Sequence, residues 1–593
     1  MRIGPRMRYR LLSLAVSAFA VAASSSACTR VAPEEEADLL LVGARVWTGW
    51  DEVPRAEAVA VRGDRIVAVG TSQALERYRG RNTRVLDLEG RFVAPGFIDN
   101  HTNFETAGSL LLGINLLQVT EEADFIDEVR TARDRIPEGA WIVGGDWGAY
   151  EEWAVGSSGS GDPGEGATDG RRNDRAAPFV PHRAMIDSIT PQNPVLISKW
   201  DGSVFLANER ALLRAGATCA WSGVECERGR STGRLTPEAA ELVRAAMPPK
   251  PFQQRLAEAR LALQRLREAG VTTIRDITGP EQMAVFQSLL ENGSLTVRVY
   301  ARPMLDRWED LSALGIRHGF GNEWLKVGGL KSFVDGFMGN SSARFYEPDL
   351  TTGEPGIWRD MMSPPGNMQR LLMSADSAGQ WPQIHAVGDH AIDTLITMYE
   401  RTMHVNGPKD RRFAIIHVQV LRGPETAERM ARLGLIADVQ PYPAIDDMRW
   451  MEERIGDRSR WAYAFRTLDD AGVRLTFGSD WPGTNASWYP ANPMLGIYAA
   501  VTRQTLGGEP EGGWYPEERV DLETALRAYT VNNAWAAGEE DIKGSLEPGK
   551  LADIVVVDRD LFSLEPAMLK NCRVLYTIVG GRVVYQRRDP EAS

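Results

Sequence analysis

Val93-Ala94-Pro95-Gly96-Phe97-Ile98-Asp99-Asn100-His101-Thr102-Asn103 is the stretch that decides the fold. An apolar run, broken once by Pro95-Gly96, ends in Asp-Asn-His. In a barrel of parallel strands, the last side chains of each strand point into the site at the C-terminal face. A histidine there is placed to hold a metal. Moving outward, further apolar stretches lie at Val271–Thr278, Leu295–Ala301, Leu325–Asp335, Pro382–Val387, Arg412–Gln419, Leu435–Tyr442 and Arg474–Asp480. Stretches with helical spacing, such as Pro251–Ala269, alternate with them. With the opening strand this makes eight, so the expectation is an α/β chain built on a TIM-like (β/α)8 barrel.

The two chain ends read differently. Leu39–Val42, Ala58–Val61, Arg65–Val69 and Thr83–Leu86 are short strands punctuated by Gly43, Gly63-Asp64 and Gly70. Near the other end, Gly544-Ser545-Leu546-Glu547-Pro548-Gly549-Lys550-Leu551-Ala552-Asp553 leads into Ile554–Asp558, and Val574–Tyr585 gives two more strands around Gly580-Gly581.

The opening run resembles the first barrel strand of the amidohydrolase superfamily, P-G-[FLI]-[IV]-D-x-H-x-H, from Pro95 to His101; the second histidine is here Asn103. The Gly544–Asp553 segment resembles the same superfamily's G-x-[IL]-x-x-G-x-x-A-D-[IL] pattern. The resemblance implies a β-sandwich domain from residues 37–92 and 544–590, with the hydrolase barrel at 93–543. A subdomain at about 104–270 would be inserted after the first barrel strand. Within it, Gly156–Gly170 reads as a surface loop, and Asn193–Ser198 and Gly202–Asn208 as strands. Such an insertion, carrying a D-G-H-x-x-x-x-N segment, is similar to the branch of N-substituted formamide deformylase. Here the histidine is Ser203, after Asp201-Gly202.

The resemblance also implies a ligand set. Lys331, His385, His417 and Asp480 stand at later strand ends, in the places of the family's strand-four lysine, strand-five and strand-six histidines and strand-eight aspartate. His101, a second histidine and the aspartate would hold the more exposed metal. His385 and His417 would hold the other, and Lys331, as a carbamate, would bridge the two. Any one such histidine is ordinarily a hydrogen-bonded core residue. The set argues otherwise, because three of only seven histidines fall at strand ends in the family's order. His182, His318 and His404 read as surface or loop residues, and His390 as structural.

Imidazoles and a carboxylate-like oxygen suit a divalent metal, most of all zinc. Such a metal lowers the pKa of its water to roughly 7 and polarises a carbonyl. Asp480 is the candidate proton shuttle. An amide is a weak ligand, so Asn103 should weaken the exposed site, leaving one tightly bound metal; Asn103 could instead contact substrate. The expected activity is cleavage of a C–N bond in a small N-acyl or N-formyl amine. The alternative is an impaired barrel acting as a small-molecule binding protein.

Composition sets the remaining bounds. At 593 residues the chain has room for a barrel of about 250 residues plus satellites. A hydrophobic share of 43% and a charged share of 25% are those of a globular protein. A net charge of −13 argues against a nucleic-acid partner. Residues 1–27, with Arg2, Arg6, Arg8 and Arg10 before an apolar run and small residues before Cys28, read as a signal peptide. Cys28 resembles the lipidated cysteine of a bacterial lipobox, which would place the protein in the periplasm or at the outer membrane, touching membrane only through that anchor. Cys219 and Cys226 are read equally as a disulfide or as two thiols. The sequence leaves a homo-oligomer open.

Overall fold

The computed structural model describes residues 36–116, 119, 121–147, 180–199, 202–483 and 489–588. The expected signal peptide at residues 1–27, Cys28, the Gly156–Gly170 segment and Asp201 lie outside the described residues.

The opening stretch serves two sheets. Phe92–Pro95 runs antiparallel to Ile554–Val557, pairing Val93 with Val556, inside a sheet that also takes Val574–Val579, Arg582–Gln586, Arg45–Trp47 and Arg55–Ala56. Phe97–Thr102 instead runs parallel to Val271–Ile277. Gly96 lies between the two, and a Cβ there would sit 2.3 Å from the Thr272 side chain, so only glycine lets the chain pass this close. A second sheet, ordered Arg65–Gly70, Ala58–Arg62, Leu39–Val42, Arg84–Asp87, shares a core with the first. Leu39, Leu41, Val59 and Val61 pack with Val46, Val93, Ile554, Val556 and Ile578. Both chain ends therefore build one apolar unit.

The remaining strands form two parallel runs. One is ordered Leu325–Val327, Arg298–Arg302, Val271–Ile277, Phe97–Thr102. The other is ordered Leu330–Phe333, Pro382–Ala386, Ala414–His417, Ile436–Val439, Arg474–Phe477. Isolated parallel bridges, Met304 to Lys331 and Thr102 to Trp481, join the runs. Helices lie against them; Phe252–Glu268 buries Leu256, Ala259, Ala262, Leu263 and Leu266, one face at helical spacing. The result is a mixed α/β fold with its strand ends converging on one side.

Most strands are shorter than the sequence reading, and two differences bear on the site. The strand expected at Leu325–Asp335 is broken at Gly328-Gly329, where a Cβ on Gly328 would fall 2.0 Å from a Tyr300 ring carbon, so only glycine fits. The strand expected to end at Ala301 continues to Arg302, one residue that matters below.

Residues 114–235 carry a separate sheet ordered Val224–Glu227, Arg230–Leu235, Phe205–Ala207, Val195–Lys199, Ile142–Trp147, Ile114–Asn115. Asn208 receives the Ala211 and Val195 amides on its Oδ1, capping the helix Glu209–Ala215 and holding it to this sheet. Cys219 and Cys226 are disulfide-bonded, which settles the open alternative in favour of the bridge. Among the described residues, no helix is long and apolar enough to cross a membrane.

Asp553, the acid of the Ala-Asp pair near the C-terminus, ties the end sheets to the parallel run. Arg298 Nε and Nη2 reach its two oxygens at 2.7 and 3.0 Å, and the Gly580 amide donates to it at 2.8 Å. A buried, bidentate pair with its lone pairs filled stabilises only while both partners remain.

Candidate active site

Strand ends bring the expected residues together. His101 Nε2 lies 3.3 Å from Asp480 Oδ1, and Asn103 Nδ2 donates to the same oxygen at 3.1 Å. The His417 ring sits edge-on to both other rings, with centroids 5.1 Å from His101 and 4.6 Å from His385. Lys331 is fully buried beside them, and its charge is felt at all three imidazoles and at Asp480. His417, Val418 and Asp480 all have positive φ, 78°, 46° and 59°. Left-handed backbone is costly for these residue types, and such strain collects where function fixes the geometry.

The hydrogen-bond partners set the ring tautomers. His385 Nε2 donates to the Gly336 carbonyl at 2.8 Å, so Nδ1 carries the lone pair, and that atom is buried without a partner among the described residues. His417 Nδ1 donates to Gln440 Oε1 at 2.7 Å, which leaves its Nε2 as the acceptor. Gln440 cannot turn its amide around, because its Nε2 already faces the Asn100 and Asp438 oxygens. Lys331 Nζ is likewise buried and unpartnered among the described residues. The ion pair that would have explained Lys331 as a purely structural residue is therefore missing there. Burial, then the Arg302 charge, drives its pKa well below the ordinary lysine value.

Buried donor atoms with free lone pairs are the arrangement a cation would satisfy. Among the described residues, no three His, Cys, Asp or Glu side chains are set to hold a metal by themselves. The inner set has two imidazoles and reaches a third donor only through Lys331, so these residues fit one metal with Lys331 taking part. The outer set fits poorly, because Asn103 offers only an amide and spends its N–H on Asp480.

Other residues of the site were missed in the sequence. Asp99 accepts from the Ser479 amide, the Ser479 hydroxyl and the His101 amide, fixing the turn into Asp480. Beneath the site lies a buried charged layer, Arg275 to Asp438 at 2.9 Å and Arg302 to Asp438 at 3.7 Å. A pocket opens over His385, His417 and Asp480, walled by Phe337, Met338, Gln419, Asp447 and Tyr489. His318, expected at the surface or in a loop, lies in a loop but is half-buried, stacked on Trp381 at 3.5 Å.

Asp447 makes the pocket wall titratable. Burial pushes its carboxyl up to about 8, although the Tyr463 hydroxyl donates to Oδ2 at 2.5 Å. Between the ordinary carboxylate range and that value, the folded chain keeps a proton that the unfolded chain releases. This group's contribution to stability therefore falls as pH rises through the window. Asp447→Asn, which keeps an acceptor for Tyr463, is expected to raise Tm more at about pH 8 than at about pH 5. Equal shifts at both pH values would refute the raised pKa.

Residues 84–585 match the sequence profile of the amidohydrolase family. The chain belongs to the amidohydrolase family. It is 31% identical to Protein LONG AFTER FAR-RED 3 of Arabidopsis thaliana, over 93% of this chain and 92% of that protein. It is 26% identical to the N-substituted formamide deformylase of Arthrobacter pascens, over 93% of this chain and 98% of that enzyme. Among solved structures, an uncharacterized metal-dependent hydrolase from Pyrococcus horikoshii OT3 superposes with a TM-score of 0.70 at 23% identity. The match covers 89% of this chain and 99% of that one. The last likeness bears on the fold alone, an amidohydrolase fold of mixed α/β type.

Proposed function

We propose that this chain is an exported, metal-dependent hydrolase that cleaves the C–N bond of a small N-acyl or N-formyl amine. The observation that carries it is the grouping of His385 Nδ1 and Lys331 Nζ, both buried without a hydrogen-bond partner among the described residues, with His417, whose Nδ1–H bond to Gln440 leaves a lone pair on Nε2. Lys331, His385 and His417 would hold the cation, most readily zinc, with Lys331 as its carbamate. Burial lowers the pKa of the Lys331 amine, which favours the neutral form that adds carbon dioxide. A bound divalent cation would polarise the substrate carbonyl and acidify a water.

The chain's own residues supply the rest. Asp480 lines the pocket while its Oδ1 is held by Asn103 and lies beside His101, so it is placed to take a proton from water and return it to the leaving amine. Phe337, Met338 and Tyr489 form an apolar wall that favours a substrate with a nonpolar part. The disulfide in the inserted subdomain supports export to an oxidising compartment, in line with the signal peptide and the lipid anchor at Cys28. We also infer that the two parallel runs close into a (β/α)8 barrel and that the end sheets form a β-sandwich.

The test is elemental analysis of zinc-loaded protein together with a screen of N-formyl and N-acyl amines for released amine. One metal per chain with turnover of at least one amide is the expected result. No retained metal and no turnover would leave the chain as a small-molecule binding protein.

A further inference from the structure

We propose that Arg302 is a positioning residue that holds His101 as an N–H donor to Asp480 and thereby removes His101 from metal coordination. The inference builds on the metal-dependent reading above, but its first test does not depend on it. Arg302 Nη2 lies 2.6 Å from His101 Nδ1. A guanidinium has five donors and no acceptor, so in this contact the imidazole nitrogen must accept. The guanidinium keeps its proton at neutral pH, so the donor side of this contact is fixed. The ring's single proton therefore sits on Nε2, which faces Asp480 Oδ1 at 3.3 Å. A metal bound at Nε2 would need a lone pair there.

The contrast with the other two histidines is what makes this specific. Their outward nitrogens face acceptors, the Gly336 carbonyl and the Gln440 amide oxygen, and this leaves a lone pair on the inward nitrogen. At His101 the outward partner is a donor, and the inward nitrogen is an N–H. Arg302 is not free to turn away. The same Nη2 donates to the Arg275 carbonyl at 2.6 Å, and Nη1 faces Asp438 Oδ2 at 3.7 Å. The whole side chain is buried. The exposed metal site is thus disabled twice, by Asn103 and by the proton that Arg302 keeps on His101. Restoring the second histidine alone does not rebuild it.

Two measurements test this. Full-length metal-free protein labelled with 15N in its histidine rings, with His101 assigned by its disappearance in His101→Asn, should show the Nε2–H tautomer for His101 and Nδ1–H for His417. This reads a proton position, not activity, so it separates failure of this proposal from failure of the hydrolase assignment. Elemental analysis of zinc-loaded variants is the second. Asn103→His should stay at one metal per chain. Asn103→His combined with Arg302→Gln should rise to two, because a glutamine oxygen can accept from Nδ1–H as Gln440 does at His417. An Nδ1–H tautomer at His101 in the metal-free protein would overturn the proposal, as would two metals in Asn103→His alone. So would a folded double variant that stays at one. If the double variant fails to fold, the ring spectrum and the single variant still decide.

Discussion

Lys331→Met is expected to remove tight metal binding and hydrolysis together while raising the Tm of the metal-free protein. The first two effects follow from losing the third donor, since the two imidazoles of His385 and His417 are too few to hold a cation tightly. Electrostatic help worth several kcal/mol then disappears, and at 1.36 kcal/mol per tenfold the loss in kcat/KM should be about 10³-fold or more. The third effect runs the other way. Lys331 Nζ is buried with no partner among the described residues, 4.4 Å above the Phe333 ring. Exchanging an unsatisfied buried polar group for an apolar side chain of similar length lifts a penalty of about 1–3 kcal/mol. A merely misfolded variant would lose activity and Tm together, so an inactive, metal-free and more heat-stable variant identifies Lys331 as a ligand. If Lys331→Met still bound zinc tightly and turned over within tenfold of wild type, Lys331 would have no place in the site.

Much of this site could be read without coordinates because its chemistry is sparse in the sequence. Three histidines out of seven, one lysine in an apolar strand and one aspartate at the last strand end leave few alternatives, and the structure brings all of them together. The end sheets were legible for a similar reason, since short strands with glycine turns at both termini have to find partners. What escaped the sequence is what depends on contacts between distant segments. The proton on His101 is set by Arg302, some two hundred residues away in the chain, and the lone pair on His417 by Gln440. Reading the third strand as ending at Ala301 stopped one residue short of Arg302. In Arg298-Val299-Tyr300-Ala301-Arg302, the period of two puts both arginines and Tyr300 on one face, and this was the available clue. The need for glycine at 328 was hidden because the Tyr300 ring it passes lies on a neighbouring strand. Asp447 gave little local sign, since its raised pKa comes first from burial and only then from the neighbouring Asp446 charge.

Asp480→Asn should cost about 10²- to 10⁴-fold in kcat and leave the metal content unchanged. The geometry separates the two roles an aspartate could have here. Asp480 Oδ1 already receives the Asn103 N–H at 3.1 Å and lies 3.3 Å from His101 Nε2. The amide oxygen of asparagine can keep both contacts, so the turn and the neighbouring rings should stay in place. What asparagine cannot do is accept a proton from water and pass it to the leaving amine. Burial raises the Asp480 pKa to about 7 in the metal-free protein, and a cation bound nearby would lower it. As a base it works only when ionised, so wild-type activity should rise with pH along an acid limb at or below about 7. The residual activity of the variant should show no limb from this group. That loss of pH dependence is the readout a purely structural role would not produce. Metal falling in step with activity would instead make Asp480 a ligand first, and it would return the exposed site to the mechanism despite Asn103 and Arg302.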